Sequence, residues 1–279
     1  MMLRVENLSI YFADYIEQQE VVQGISFVIE PGEILGIVGE SGSGKTMTAL
    51  TIVGLKKPHQ IIKEGRIYLD EKELLGLTDK VMRTVQGNEI GMIFQEPMTA
   101  LNPTMRIGKQ VEEALVLHTK LNKRERRKKV IQALQDVELE NPEELFQKYP
   151  HELSGGMRQR VMIAAAMICQ PKLLIADEPT TALDVDTQDA ILKLLKKLNQ
   201  KYQMSILFIS HNLRVVNELC SRVIVMKAGE IVEQGQVATV FQSPQAEYTK
   251  ELIAAIPTRL EDSLVHRLRD KKAGERLGR

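Results

Sequence analysis

The stretch Gly39-Glu40-Ser41-Gly42-Ser43-Gly44-Lys45-Thr46 follows the pattern G-x-x-x-x-G-K-[ST], directly after the apolar run Ile34-Leu35-Gly36-Ile37-Val38. Glycines at these positions let the backbone wrap a phosphate with its N–H groups, and a helix beginning at Lys45 adds positive potential. Lys45 is then placed to reach terminal phosphates, and Thr46 offers a hydroxyl to Mg²⁺. A second group, Asp177-Glu178, ends the apolar run Leu173-Leu174-Ile175-Ala176. Ligands of parallel sheets collect at the C-terminal ends of strands, so two carboxylates there divide their tasks. Asp177 is expected to hold Mg²⁺ through its water shell, and Glu178 to face an attacking water as base or orienting acceptor.

A third group, Leu153-Ser154-Gly155-Gly156-Met157-Arg158-Gln159-Arg160, reads as a helix start. Ser154 can cap a helix running through Val161 to Cys169, and the two glycines behind it leave N–H groups open to an anion.

These groups need strands and helices to carry them. Alternation of apolar and polar residues from Leu3 to Pro31 predicts a small antiparallel β region closed by the turn Pro31-Gly32-Glu33. Ile34–Val38, Ile90–Phe94, Leu173–Ala176 and Ser205–Ile209 read as buried parallel strands. A helix is expected from Lys45 to Leu55, a charged helical insertion at about 96–165, a helix after His211 to Leu219, and a hairpin around Lys227-Ala228-Gly229. One domain over 1–257 and a polar tail over 258–279 follow.

With 279 residues, 43% of them hydrophobic, the chain can bury a sizeable core. Acidic and basic residues balance at 37 each, which argues against a general nucleic-acid-binding surface. The run Lys123–Lys129 reads as a solvated helix face near a membrane surface. Two cysteines, Cys169 and Cys220, lie in apolar or helical stretches and read as buried thiols in a reducing setting. No apolar run approaches the roughly 20 residues that span a bilayer, so a membrane role is expected to come from partners.

Taken together, Gly39–Thr46, Gln95, Ser154–Gln159, Asp177-Glu178 and His211 resemble, in order and spacing, the ATP-binding cassette (ABC) ATPase family over nearly the whole chain. The resemblance implies an α/β fold: a P-loop NTPase of the ABC type with an N-terminal antiparallel β subdomain and a helical signature subdomain. It implies ATP and Mg²⁺ as cofactors, with Thr46, Gln95 and Asp177 toward the metal. It also implies a nucleotide contact from Thr48, a switch role for His211 and a hinge role for Gln95. Adenine is expected to stack on Phe12, with Tyr11 as the adjacent alternative. Each ATP is implied to lie between two cassettes, self or paralogue, with Ser154, Gly155 and Gly156 completing the partner's site and Asp184 in the loop that crosses the interface.

More particular stretches, Phe94–Pro103, Tyr149–Met157 and Phe241–Lys250, resemble importer ATPases for dipeptides, oligopeptides and nickel. The implied partners are two integral-membrane permease subunits and, indirectly, an extracytoplasmic binding protein, at the cytoplasmic face of the membrane. That group has His-Pro-Tyr where this chain has Ala246-Glu247-Tyr248. Many of its members carry a cysteine cluster for an iron–sulfur centre in the C-terminal extension; here no cysteine follows Cys220, so no cluster is expected. Peptide and nickel branches both stay open. A soluble ABC ATPase of chromosome maintenance or translation is the competing reading, but those usually show long heptad insertions or two fused cassettes, and neither is present.

Overall fold

A computed structural model of the chain describes residues 1–13, 18–95, 100–181 and 183–255. The tail expected over 258–279, and Glu96–Thr99 of the first importer-like stretch, lie outside the described residues.

Two sheets organise the molecule. β1 (Leu3–Ala13), β2 (Gln18–Ile29), β4 (Gln60–Leu69) and the short β5 (Lys72–Glu73) form an antiparallel sheet in the order β2-β1-β4-β5. β3 (Ile34–Val38), β6 (Ile90–Ile93), β7 (Leu173–Asp177), β8 (Ser205–Ile209), β9 (Arg222–Lys227) and β10 (Glu230–Gln236) form the second, ordered β10-β9-β3-β8-β7-β6. All its neighbours pair in parallel except the hairpin β9–β10. The expected antiparallel region gains in β4 a third strand that the alternation to Pro31 did not include. Its pattern is irregular because its register against β1 shifts between Ile62 and Arg66, so that Lys63, Glu64 and Arg66 are all exposed while Ile67 and Leu69 are buried.

Every residue of β3, β7 and β8 is buried, as expected for parallel strands covered on both faces. Leu35, Ile37, Ile175, Leu207 and Ile209 pack against the antiparallel sheet and helices α1 (Lys45–Val53) and α2 (Asp79–Val85). Val38, Leu174, Ala176, Ile206 and Phe208 pack instead beneath helices α6 (Gly155–Met167), α7 (Val185–Tyr202) and α8 (Leu213–Leu219). The period-2 geometry of a strand thus feeds two cores from one run of residues.

Between β6 and β7 the chain is helical: α3 (Ile107–His118), α4 (Lys123–Asp136) and the single turn α5 (Pro142–Leu145) precede α6. Asn122 and Glu125 close a capping box at the start of α4, so the charged run Lys123–Lys129 is helical despite its poor apolar content. One buried carboxylate, Glu112 of α3, pairs with Lys109 one turn earlier in the same helix (2.8 Å) and joins α3 to α4 through Arg126 (2.9 Å). Burial by itself pushes its pKa up, but the hydrogen bonds and charges of those two cations outweigh it and hold the carboxyl below its ordinary range.

Helix α6 is held against β6 by a close approach at Gly91, where an added Cβ would lie 2.2 Å from the Ala166 carbonyl oxygen. Because that obstacle is backbone, Gly91→Ala must push α6 off the sheet, and overpacking of this kind costs about 1–3 kcal/mol. The expected outcome is a melting temperature lower by roughly 5 °C, while Gly76→Ala, with no atom within 4 Å of the new methyl, leaves it unchanged. Thermal denaturation of both variants checks this.

Candidate nucleotide site

Because β3, β8, β7 and β6 are adjacent and parallel, their C-terminal ends form one edge. Four expected groups sit along it: the loop Gly39–Gly44 after β3, His211 after β8, Asp177-Glu178 closing β7, and Gln95 just past β6. Backbone bonds continue the ladder into this edge, from Glu178 N–H to Ile209 O (2.9 Å) and from Ser210 N–H to Ile37 O (3.1 Å).

The loop is an open cradle. Gly39, Gly42 and Gly44 have φ of 152°, 83° and 96°, conformations that favour glycine, and an added Cβ at Gly42 would meet nothing within 4 Å. Helix α1 starts at Lys45 with no side-chain cap at Gly44, so its first-turn N–H groups face the cradle unpaired within the helix. Lys45 is 5% exposed. Its Nζ donates to Gly39 O (2.8 Å), Glu40 O (2.7 Å) and Ser43 Oγ (3.3 Å). Burial lowers its pKa, and Glu178, Asp177 and Glu40 pull it back part of the way.

Thr46 Oγ1 lies 3.2 Å from Asp177 Oδ1. Asp177 is buried, and desolvation raises its pKa against the Thr46 hydrogen bond. Glu178 next to it stands in the left-handed region at φ 47°, a conformation that costs a non-glycine residue about 1–2 kcal/mol. Such strain is found where a side chain has to be aimed. Here Oε2 of Glu178 receives Gln95 Nε2 at 3.2 Å and Thr181 Oγ1 at 2.8 Å, and lies 3.0 Å from His211 Nδ1. The arrangement presents one well-directed carboxylate beside a phosphate cradle, suited to orienting or deprotonating a water.

Thr181 did not figure among the expected site residues. A hydroxyl three positions after Glu178 was visible in the sequence, but only the turn Glu178–Thr181, closed by Thr181 N–H to Glu178 O at 3.3 Å, brings it to the carboxylate. Thr48 is completely buried one turn into α1, and both its N–H (2.9 Å) and its hydroxyl (3.0 Å) close on Gly44 O, so it braces the loop from the helix side.

Of the two candidate rings, Tyr11 is on the outer side of β1, its hydroxyl accepting from Lys63 Nζ at 2.9 Å with the ammonium over its ring. Phe12 is half-buried and packs against the core shared with α1.

Ser154 caps α6, its Oγ accepting from Met157 N–H at 3.3 Å. The space around Gly155 is open, whereas a Cβ at Gly156 would approach Thr187 of α7 to 2.9 Å. Asp184 caps α7 through Thr187 N–H (2.9 Å) and Thr187 Oγ1 (2.8 Å), contacts that lower its pKa. The starts of α6 and α7 are therefore side by side. Among the described residues no hydrogen bond or ion pair joins Ser154–Gly156 to the loop Gly39–Thr46.

A cavity of about 330 Å³ opens beside this edge, between β6, the end of α1, and helices α3 and α6. Phe94, 40% exposed and adjacent to Gln95, is at its rim.

Comparison with known proteins gives concordant results. A family model described as ABC transporter matches residues 22–181. The oligopeptide transport ATP-binding protein OppD of Bacillus subtilis (strain 168) is 49% identical over 263 residues, covering 94% of this chain and 73% of the relative. The dipeptide transport ATP-binding protein DppD of Escherichia coli (strain K12) is 44% identical over 262 residues, covering 94% and 80%. The dimeric post-hydrolysis structure of the ATP-binding cassette MJ0796 bound to ADP and Pi superposes with a TM-score of 0.76 at 31% identity, covering 85% of this chain and 99% of that one. CbiO1 from Clostridium perfringens, part of the ABC transporter complex cbiONQ, gives 0.74 at 30% identity, covering 94% and 98%.

Removing the Thr181 hydroxyl tests the geometry around Glu178. Thr181→Val is expected to lower ATP turnover about tenfold, the order associated with one hydrogen bond to a charged group, with little change in ATP affinity. Steady-state hydrolysis and nucleotide titration check this; unchanged turnover would show that Thr181 plays no part in aiming the carboxylate.

Proposed function

Since this chain belongs to the ABC transporter family, we propose that it is the ATP-hydrolysing subunit of a membrane importer for peptides, with nickel or metal chelates as the competing cargo. One observation carries the hydrolytic reading: a single strained carboxylate, Glu178, accepts from Gln95 and Thr181 and lies 3.0 Å from His211 Nδ1 beside an open phosphate cradle.

ATP places its phosphates on the N–H groups of Gly42–Thr46, with Lys45 turning from loop carbonyls to phosphate oxygens. Mg²⁺ fits Thr46 and Asp177. They supply two hard oxygen donors in contact, which suits an ion that keeps most of its shell for phosphates and water. When bound, the ion would neutralise charge on the phosphates, and Thr46, Asp177 and Gln95 would hold it. Glu178 takes the proton of the attacking water, Gln95 and Thr181 fix the carboxylate by donating to it, and His211, with Nδ1 3.0 Å from that carboxylate, steadies it. Phe12 is the ring for adenine. Beyond this chain's own loop, the γ-phosphate needs a second set of donors. Ser154, Gly155 and Gly156 supply them to a partner cassette, paralogous or identical, and Asp184 lies next to them.

No helix among the described residues is long and apolar enough to cross a membrane. Permease subunits therefore provide the path, at the cytoplasmic face, and the cavity beside Phe94 suits a segment of such a subunit. Closure of the two cassettes then moves the helical segment and, through Gln95, is felt there. The names of the relatives, oligopeptide and dipeptide transport proteins, favour peptide cargo.

The test is turnover in the reconstituted transporter with its binding protein. A short peptide is expected to raise ATP hydrolysis several-fold, and Ser154→Arg to abolish that rise while single-chain ATP affinity stays at the wild-type value. Stimulation by a nickel chelate but not by peptide would overturn the cargo, and full turnover in Ser154→Arg would overturn the shared site.

A further inference from the structure

Past the β9–β10 hairpin the chain returns to the phosphate loop. Helix α9 (Val237–Gln242) leads to α10 (Glu247–Ala254). The Glu233 carboxylate accepts from the N–H groups of Gln245 (2.9 Å) and Ala246 (3.0 Å), which fixes where α10 begins. This places Tyr248 over the loop. The tyrosine is 6% exposed, Lys227 Nζ lies 4.5 Å from its ring centroid, and its hydroxyl accepts from Glu40 N–H at 3.0 Å. Nothing in the phosphate-loop pattern anticipates a contact from a residue this far along the chain.

Glu40 N–H and Gly39 C=O are the two ends of one planar peptide unit. Tyr248 holds the first; Lys45 holds the second, at 2.8 Å. An ammonium has three donors. Lys45 spends all three on the loop, on Gly39 O, Glu40 O and Ser43 Oγ. It cannot reach a phosphate without releasing at least one of them. When it does, the Gly39–Glu40 peptide loses its grip on that side. Several braces do not depend on Lys45: Thr48 at Gly44 O, Ser43 N–H at Glu40 O (3.2 Å), Gly229 N–H at Ser43 O (3.3 Å) and Tyr248 at Glu40 N–H. Among the described residues, only Tyr248 holds the Gly39–Glu40 peptide that Lys45 vacates at Gly39 O.

We propose that Tyr248 is a positioning residue of the nucleotide site, holding the Gly39–Glu40 peptide while Lys45 moves to phosphate and thereby coupling helix α10 to nucleotide occupancy. This rests on the reading of Gly39–Thr46 as the phosphate cradle. Coupling is reciprocal: if docked α10 favours the bound loop, then bound nucleotide tightens α10.

Tyr248→Phe keeps the ring and its contact with Lys227 and removes only the acceptor. The variant is expected to retain the wild-type melting temperature without nucleotide, to bind MgATP about fivefold more weakly, the order set by one lost hydrogen bond, and to keep kcat at saturating ATP. In wild type, MgATP is expected to slow amide hydrogen exchange across residues 247–255, and in Tyr248→Phe to slow it less. Tyr248→Leu, which also loses the ring, lowers the melting temperature of the free protein and so reports packing separately. If Tyr248→Phe matches wild type in both MgATP affinity and exchange, the tyrosine is only a packing anchor and the proposal is overturned. If wild type itself gains no protection and no thermal shift from MgATP, the cradle reading fails together with it.

Discussion

An ammonium group that is almost wholly buried has to be compensated where it lies, because leaving it alone would cost several kcal/mol. Lys45 is compensated by two loop carbonyls, a serine hydroxyl and, further off, the carboxylates of Asp177 and Glu178. That single constraint orders much of the molecule. The carboxylates can face the lysine only if β7 ends level with β3, which requires β8 between them in register. The register in turn requires strands apolar on both faces, one face covered by the antiparallel sheet and α1 and the other by α6–α8. Desolvation disfavours the charged form of Lys45 and of Asp177 alike, raising the one's readiness to deprotonate and the other's to protonate. A polyphosphate with a divalent cation would relieve both, since each brings the charge that its neighbour lacks.

The proposed sharing of the site between two chains has the same electrostatic origin. One face of a nucleotide on Gly42–Thr46 would meet Lys45 and the first turn of α1, and the opposite face would be open. The start of α6 carries a comparable set of N–H groups, with Ser154 as cap and Gly155 unobstructed, yet within the described chain no hydrogen bond brings it to the loop. The MJ0796 cassette, whose fold this chain shares, is described as a dimer after hydrolysis. Placing one chain's α6 against another chain's cradle follows from pairing two incomplete anion sites.

Much of this was legible in the residues. The four buried runs became β3, β6, β7 and β8 because a strand covered on both faces is written as a continuous apolar stretch, and Gly-rich punctuation after β3 located the cradle. The hairpin around Ala228-Gly229 followed from its turn residues. What was not legible depended on tertiary partners. β4 alternates imperfectly because its register against β1 shifts between Ile62 and Arg66, leaving Lys63, Glu64 and Arg66 all exposed. Thr181 reaches Glu178 only through a left-handed backbone conformation that the residue type Glu does not announce. α10 is a short helix whose start is set by the Glu233 carboxylate, so no local signal placed Tyr248 beside Glu40.

The most direct test of the account is MgATP hydrolysis by wild type and by Glu178→Gln, alone and mixed with candidate partner cassettes, with ATP binding measured in parallel. Glutamine preserves the side chain's size but cannot take a proton from water. The account predicts turnover in wild type, highest with the right partner, a loss of at least about 100-fold in the variant, within the range general base catalysis contributes, and ATP binding that persists in both. Equal turnover in the two proteins, or binding without hydrolysis in wild type under every pairing, would contradict it.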